Sequence, residues 1–189
     1  MSDNVHAQFV RPEDSLLFLV DLQKVMLDLC VHKEDVVRNV TALLDMAAVL
    51  HVPVLFSQHN AEKLGPFLPE LTSKVSDPLI LDKLEFSCFE NEAMAQTVAA
   101  CGRKTLILAG IETHVCIFHT GAHGVRLGYT VHVVSDAVTS RSEHNRSIGL
   151  QRLDKAGAVI TSTEMITFEW LNRAGTPQFR QALPILKRF

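Results

Sequence analysis

Unbroken apolar runs alternate along this chain with stretches of helical spacing. Ser15-Leu-Leu-Phe-Leu-Val-Asp21 is apolar almost throughout and closes on a carboxylate. That is the pattern of a strand covered on both faces, as in a parallel sheet. A helix is predicted over 33–50, where Val36, Val37, Val40, Leu43, Leu44 and Ala47 make one apolar stripe. Pro53–Ser57 reads as a second strand and Leu79–Leu81 as a short third. The intervening stretch from Gln58 to Pro78 is punctuated by Gly65, Pro66, Pro69 and Pro78 and is expected to be a long functional loop. A helix is expected around 90–100, with Gly102 breaking it before a fourth strand, Thr105–Ala109. Gly110 ends that strand. A helix carrying Cys116 follows, with Val115, Phe118, Ala122 and Val125 at helical spacing and Gly128 as its stop. Thr130–Val134 is the fifth strand, 142–156 a helix, and Ala158–Thr161 the sixth strand. Helical segments near 165–173 and 177–187 close the chain.

Strands alternating with helices imply an α/β fold: three layers, with a mostly parallel sheet between two layers of helices. Neither repeats nor a domain boundary interrupt the pattern, so residues 1–189 are expected to form a single domain. In such sheets ligands bind outside the carboxyl ends of the strands, near a topological switch point. Asp21 follows the first strand, Lys83 the third and Cys116 the fourth. Three segments would thus deliver an acid, a cation and a thiol to one edge.

Composition narrows the partners. The formal charge is −3 with no basic stripe, which argues against nucleic acid. No apolar run approaches the ~20 residues of a membrane span, and the amino-terminal MSDNVHAQFVRPED is polar and acidic, unlike a signal peptide. The four cysteines, Cys30, Cys88, Cys101 and Cys116, lack zinc or CxxC spacing and fit free thiols in a reducing cytoplasm.

Each candidate has two readings. Cys116, in the first turn of its helix with Thr113 as the expected cap, is a nucleophile favoured as thiolate by the helix field, or a buried small apolar residue. Asp21 is a catalytic acid or a helix cap, and Lys83 a catalytic cation or a surface lysine. His119 and His123 are four apart on a helix, but no third ligand accompanies them. Gly102-Arg-Lys-Thr105 precedes a strand rather than a helix, so it is not a phosphate loop, and no GxGxxG follows the first strand.

Leu19-Val-Asp21-Leu-Gln23, the lysine of Asp82-Lys83-Leu-Glu-Phe86-Ser-Cys-Phe89, and Gly110-Ile-Glu-Thr113-His-Val-Cys116 resemble three motifs of the isochorismatase-like cysteine hydrolases. Ser135-Asp136-Ala137 and Ser140-Arg141-Ser142 are also similar to that family, and the likeness runs from about Ser15 to Ser162. The resemblance implies a six-stranded parallel sheet, an Asp21–Lys83–Cys116 triad and a cis peptide between Glu112 and Thr113 that aims backbone N–H groups at an oxyanion. Gln23, Phe86 and Phe89 are the candidate substrate contacts.

Nicotinamidases of that family hold a metal with an aspartate and two histidines after the second strand. Ser57-Gln-His59-Asn-Ala-Glu62 offers His59 alone, so neither metal nor cofactor is expected. The resemblance thus implies an amidohydrolase that attacks a small-molecule amide through a thioester. Asp21 serves as base, and the N–H groups of Glu112 and Cys116 serve as oxyanion donors. Homo-oligomers are also implied. The alternatives are vinyl-ether hydrolysis with Cys116 as bystander, and a non-catalytic binding module.

Overall fold

The computed structural model describes residues 9–189; the first eight residues of the polar amino-terminal stretch lie outside them. Six strands make one parallel sheet: β1 (Ser15–Val20), β2 (Val54–His59), β3 (Leu79–Lys83), β4 (Thr105–Ile111), β5 (Thr130–Thr139) and β6 (Val159–Thr161). Their order is β3-β2-β1-β4-β5-β6, with every neighbouring pair parallel. The chain winds outward from β1 to β3, then crosses to the other side of β1 to lay down β4. The switch point therefore falls between β1 and β4.

The helices are α1 (Lys24–Leu27), α2 (Lys33–Leu50), α3 (Ala61–Leu64), α4 (Pro69–Thr72), α5 (Glu92–Ala100), α6 (Phe118–Arg126), α7 (Glu143–Lys155), α8 (Thr163–Leu171) and α9 (Pro177–Leu186). Every residue of β1 is buried, and its side chains divide between two cores. Leu17 and Leu19 pack with Leu43 and Met46 of α2, Trp170 of α8 and Ile185 of α9. Leu16, Phe18 and Val20 pack on the opposite face with Met94 of α5, Ile117 and Leu153 of α7. This two-sided burial is why the strand reads as a continuous apolar run rather than an alternating one.

Three stretches differ from the sequence reading, the first being β4, which does not end at Gly110 but keeps pairing with β5 through Ile111. The loop from Gln58 to Pro78 is not structureless: β2 extends to His59, α3 and α4 follow, and Phe67 returns to bridge Gln23. Strand β5 runs on to Thr139 rather than stopping at Val134. Its pairing with β4 shifts register between Leu108 and Gly110. The shift lets two polar residues leave the ladder without ending the strand. Ser135 Oγ donates to the Thr161 carbonyl at 2.7 Å, and Asp136 Oδ1 accepts from the amide and hydroxyl of Thr163 at 2.8 and 2.9 Å.

Gly110 sets the seam at the switch point. Its φ is +125°, and a Cβ there would lie 2.0 Å from the Val20 carbonyl oxygen. Only glycine lets β4 pass β1 at that distance.

Candidate active site

The residue after β1, Asp21, adopts φ +55°, a left-handed conformation rare outside glycine. Its amide donates to the Ser57 carbonyl at 2.9 Å and its carbonyl accepts from Gln23 N–H at 2.7 Å. The turn thus points the Asp21 side chain across the strand ends. Lys83 is the last residue of β3, two strands away, and is paired with His59 of β2. Beyond β4 the chain passes Glu112 into a single π-helical turn, Thr113–Ile117, which carries Cys116 and runs into α6. Such turns recur at functional sites.

The three groups predicted from sequence meet. Lys83 Nζ lies 2.6 Å from Asp21 Oδ2 and 3.7 Å from Cys116 Sγ. The other carboxylate oxygen, Oδ1, accepts from Ser57 Oγ at 2.8 Å. The Asp21 and Lys83 side chains are fully buried and Cys116 is 3% exposed. In this dry setting a carboxylate with both oxygens bonded and an ammonium facing a thiol form one electrostatic unit.

Burial pushes the Cys116 thiol well above its usual range. The Asp21 carboxylate adds to the rise, and Lys83 opposes it. Burial works against the Lys83 ammonium too, yet Asp21 first, and then Cys116 and Cys88, more than offset it and hold its pKa above the ordinary lysine value. The resting site therefore sets a neutral thiol beside an ammonium. Burial and the Asp21 carboxylate, both supplied by other segments, thus work against the thiolate that a helix N-terminus would favour.

Two further expectations are corrected at this turn. The cis peptide joins Ile111 to Glu112, not Glu112 to Thr113, because β4 runs through Ile111 and the chain bends at the strand end itself. Thr113 does not cap the turn. Its hydroxyl is buried with no hydrogen-bond partner among the described residues. Glu112 holds the capping position instead, its carbonyl accepting from Val115 at 3.0 Å and Ile117 at 3.2 Å. The Glu112 carboxylate is held by the backbone amide and Nε of Arg141, each at 3.1 Å.

The expected substrate contacts divide. Phe86 is 52% exposed and stands at the rim, its ring nearly parallel to that of His59 with centroids 5.8 Å apart. Phe89 is buried against His123 and Tyr129, and so belongs to the core. Gln23 is buried with its amide fully engaged: Oε1 accepts from His59 N–H at 2.7 Å, and Nε2 donates to the carbonyls of His59 at 3.0 Å and Gly65 at 2.7 Å. It fixes the end of β2 rather than facing a ligand.

Sequence reasoning missed Ser57, whose only signal was its place at a strand end beside His59. Asp21, His59 and Cys116 each offer a ligand atom within 4.8 Å of one another. Lys83 Nζ, however, lies at hydrogen-bonding distance from all three, so a metal ion there would face an ammonium already paired with the same donors. The residues do not fit a metal. His119 and His123 are engaged separately, with the Val115 carbonyl and with Ser87.

An open parallel sheet with an acid, a lysine and a cysteine at its switch point is the arrangement of a known class, and comparison identifies it. The Isochorismatase domain model matches residues 15–165, and the chain belongs to that family. The secreted isochorismatase effector Isc1 of Phytophthora sojae is 36% identical over 180 residues, covering 93% of this chain and 86% of the relative. Among solved structures, the MAR1 ribonuclease of Caenorhabditis elegans superposes with a TM-score of 0.89 at 28% identity, covering 95% of this chain and 93% of that one. Two YcaC proteins each superpose with a TM-score of 0.87 at 25% identity. That of Escherichia coli is described as an octameric hydrolase of unknown specificity and covers 95% of this chain and 93% of its own. That of Pseudomonas aeruginosa is described with hexane-2,5-diol and covalent acrylamide, and covers 96% and 95%. The family and these structures support a hydrolase. No helix among the described residues is long and apolar enough to cross a membrane.

Proposed function

We propose that this chain is a cysteine hydrolase that cleaves a small amide-type C–N bond through a thioester. The carrying observation is the Lys83 ammonium within 2.6 Å of Asp21 and 3.7 Å of Cys116 at the switch point. Because the thiol rests protonated, Asp21 accepts its proton as the sulfur attacks the carbonyl carbon, not before. Lys83 keeps its charge throughout and stabilises the sulfur as negative charge builds there. The oxyanion takes its hydrogen bonds from the backbone N–H groups of Glu112 and Cys116. The amides on either side of Cys116, those of Val115 and Ile117, donate instead to the Glu112 carbonyl, which supports this division of roles. Collapse of the tetrahedral intermediate breaks the C–N bond, and Asp21 returns the proton to the leaving amine. Asp21 then takes a proton from water as it hydrolyses the thioester, and the sulfur leaves to regain its proton. Phe86 forms a wall at the rim, while Gln23 and Thr113 shape the strand ends. The covalent acrylamide described in the Pseudomonas YcaC protein supports a reactive site in a relative, and the octameric Escherichia coli protein supports a homo-oligomer for this chain.

The test is a screen of small amides and ureas for ammonia release, with isochorismate-type vinyl ethers and a short RNA as further arms. A hit among the amides should be lost at least a thousandfold in Cys116→Ala with the fold intact by circular dichroism. It should also leave an acyl adduct on Cys116 in quenched wild-type samples. Turnover that persists in Cys116→Ala would shift the assignment to the vinyl-ether reaction run by Asp21 and Lys83. A site that acts on no arm and never modifies Cys116 would be a binding module.

A further inference from the structure

An ammonium has three N–H bonds and no acceptor, and buried donors are rarely left unpaired. Lys83 is fully buried, and Asp21 Oδ2 and Cys116 Sγ account for two of its donors. The third atom in reach is Nδ1 of His59, at 3.5 Å. His59 itself has little freedom. Gln23 binds its amide and its carbonyl at once, and the Phe86 ring lies parallel to its imidazole. An ammonium has no acceptor, so a hydrogen bond between the two groups requires Nδ1 to accept, with the ring proton on Nε2.

We propose that His59 is a positioning residue of the hydrolytic site: its Nδ1 is the third acceptor of Lys83, fixing the ammonium so that one N–H points at Asp21 and another at Cys116. His59, which the sequence reading weighed only against a metal site and found alone there, thus gains a role of its own. A lysine with two acceptors can rotate and share its protons among them. One with three acceptors at fixed positions has a single arrangement. Gln23 belongs to the same device one step further out, since it sets where the His59 backbone ends.

The inference rests on Cys116 as nucleophile, and acrylamide tests both without a known substrate. The sulfur adds to the terminal alkene carbon, the C=C double bond becomes single, and the thiol proton ends on the carbon next to the carbonyl. The adduct is followed by intact mass and located by peptide mapping. Wild-type protein should label at Cys116. In His59→Leu the labelling rate should fall about tenfold or more, the scale of a lost hydrogen bond to a charged group. His59→Asn sets a carbonyl oxygen where Nδ1 stood and should label within about threefold of wild type. If His59→Leu does not fold, His59→Gln, whose oxygen lies one bond further out, replaces it with the same expected loss. Equal rates in wild type and His59→Leu, or equal losses in His59→Asn and His59→Leu, overturn the inference while leaving the nucleophile in place. Absence of any Cys116 adduct in wild type would instead overturn the reading on which it rests.

Discussion

Cys88 and Cys116 are both buried thiols within the field of Asp21, yet their surroundings assign them different tasks. Cys116 faces the Lys83 ammonium, which can stabilise a thiolate as it forms. Cys88 donates through Sγ to Ser57 Oγ at 3.6 Å, and its backbone amide donates to Thr120 Oγ1 at 3.1 Å. The thiol proton of Cys88 thereby leaves the Ser57 hydroxyl hydrogen free to point at Asp21. Burial first, then the Asp21 charge, pushes the Cys88 thiol up to about 11 from 9.0, so it remains a donor at neutral pH. A folded-state pKa raised in this way contributes stability that is complete below pH 9 and is lost as pH rises toward 11, because only the unfolded chain ionises in that window. Urea unfolding between pH 9 and 11 should therefore cost the wild type about 2 kcal/mol more than it costs Cys88→Ala. Parallel pH dependence in the two proteins would mean that Cys88 ionises freely in the folded state. Cys30, pushed up to about 12 chiefly by burial, adds a loss of the same sign to both proteins and cancels in the comparison.

At the scale of elements, the π-helical turn is held in place by α7. Gly149 of that helix approaches so closely that a Cβ there would sit 2.9 Å from the Thr113 carbonyl carbon and oxygen. Its backbone is ordinary helix, so space alone demands glycine. Gly149→Ala should push the turn and α7 apart and slow acrylamide addition at Cys116 by about tenfold, at a stability cost of about 1–3 kcal/mol. A labelling rate equal to wild type, with that loss of stability, would show that the turn tolerates displacement. The fold was legible because β1 and β4 are uninterrupted apolar runs and the α2 stripe has one period throughout. Asp21, Lys83 and Cys116 could be picked out because each lies at or just beyond the carboxyl end of a strand: Asp21 directly after β1, Lys83 as the last residue of β3, and Cys116 in the turn after β4. What escaped was set by contacts distant in sequence. The continuation of β5 depends on a register shift against β4, the α3–α4 region folds back through the Phe67–Gln23 bridge, and Ser57 matters only once Asp21 has turned into left-handed backbone beside it. The thiol's resting state escaped for the same reason. Helix position is written locally, whereas the burial and the carboxylate that outweigh it come from other segments.

Among the described residues the molecule is two cores separated by one sheet, and Cys116 belongs to only one of them. Cys116 and Ile117 pack on the face that holds α5 and α7 with Leu153 among their neighbours, while Leu43 lies across the sheet among α2, α8 and α9. Both leucines are fully buried, so truncating either to alanine leaves a similar cavity and should cost about 2–5 kcal/mol. Their effect on the site should differ. Leu153 presses on α6 at Gly121, where an added Cβ would come within 2.6 Å of its Cδ2, and α6 continues directly from the Cys116 turn. Leu153→Ala should therefore loosen that junction and change the rate of acrylamide addition severalfold. Leu43→Ala, with equal loss of stability in urea, should label at the wild-type rate. The sheet between them, buried on both faces and paired strand to strand, is the rigid element that confines each repacking to its own side. Equal changes in labelling for the two variants would mean instead that the layers yield together, and that the reactivity of Cys116 follows global stability rather than the packing of its own face.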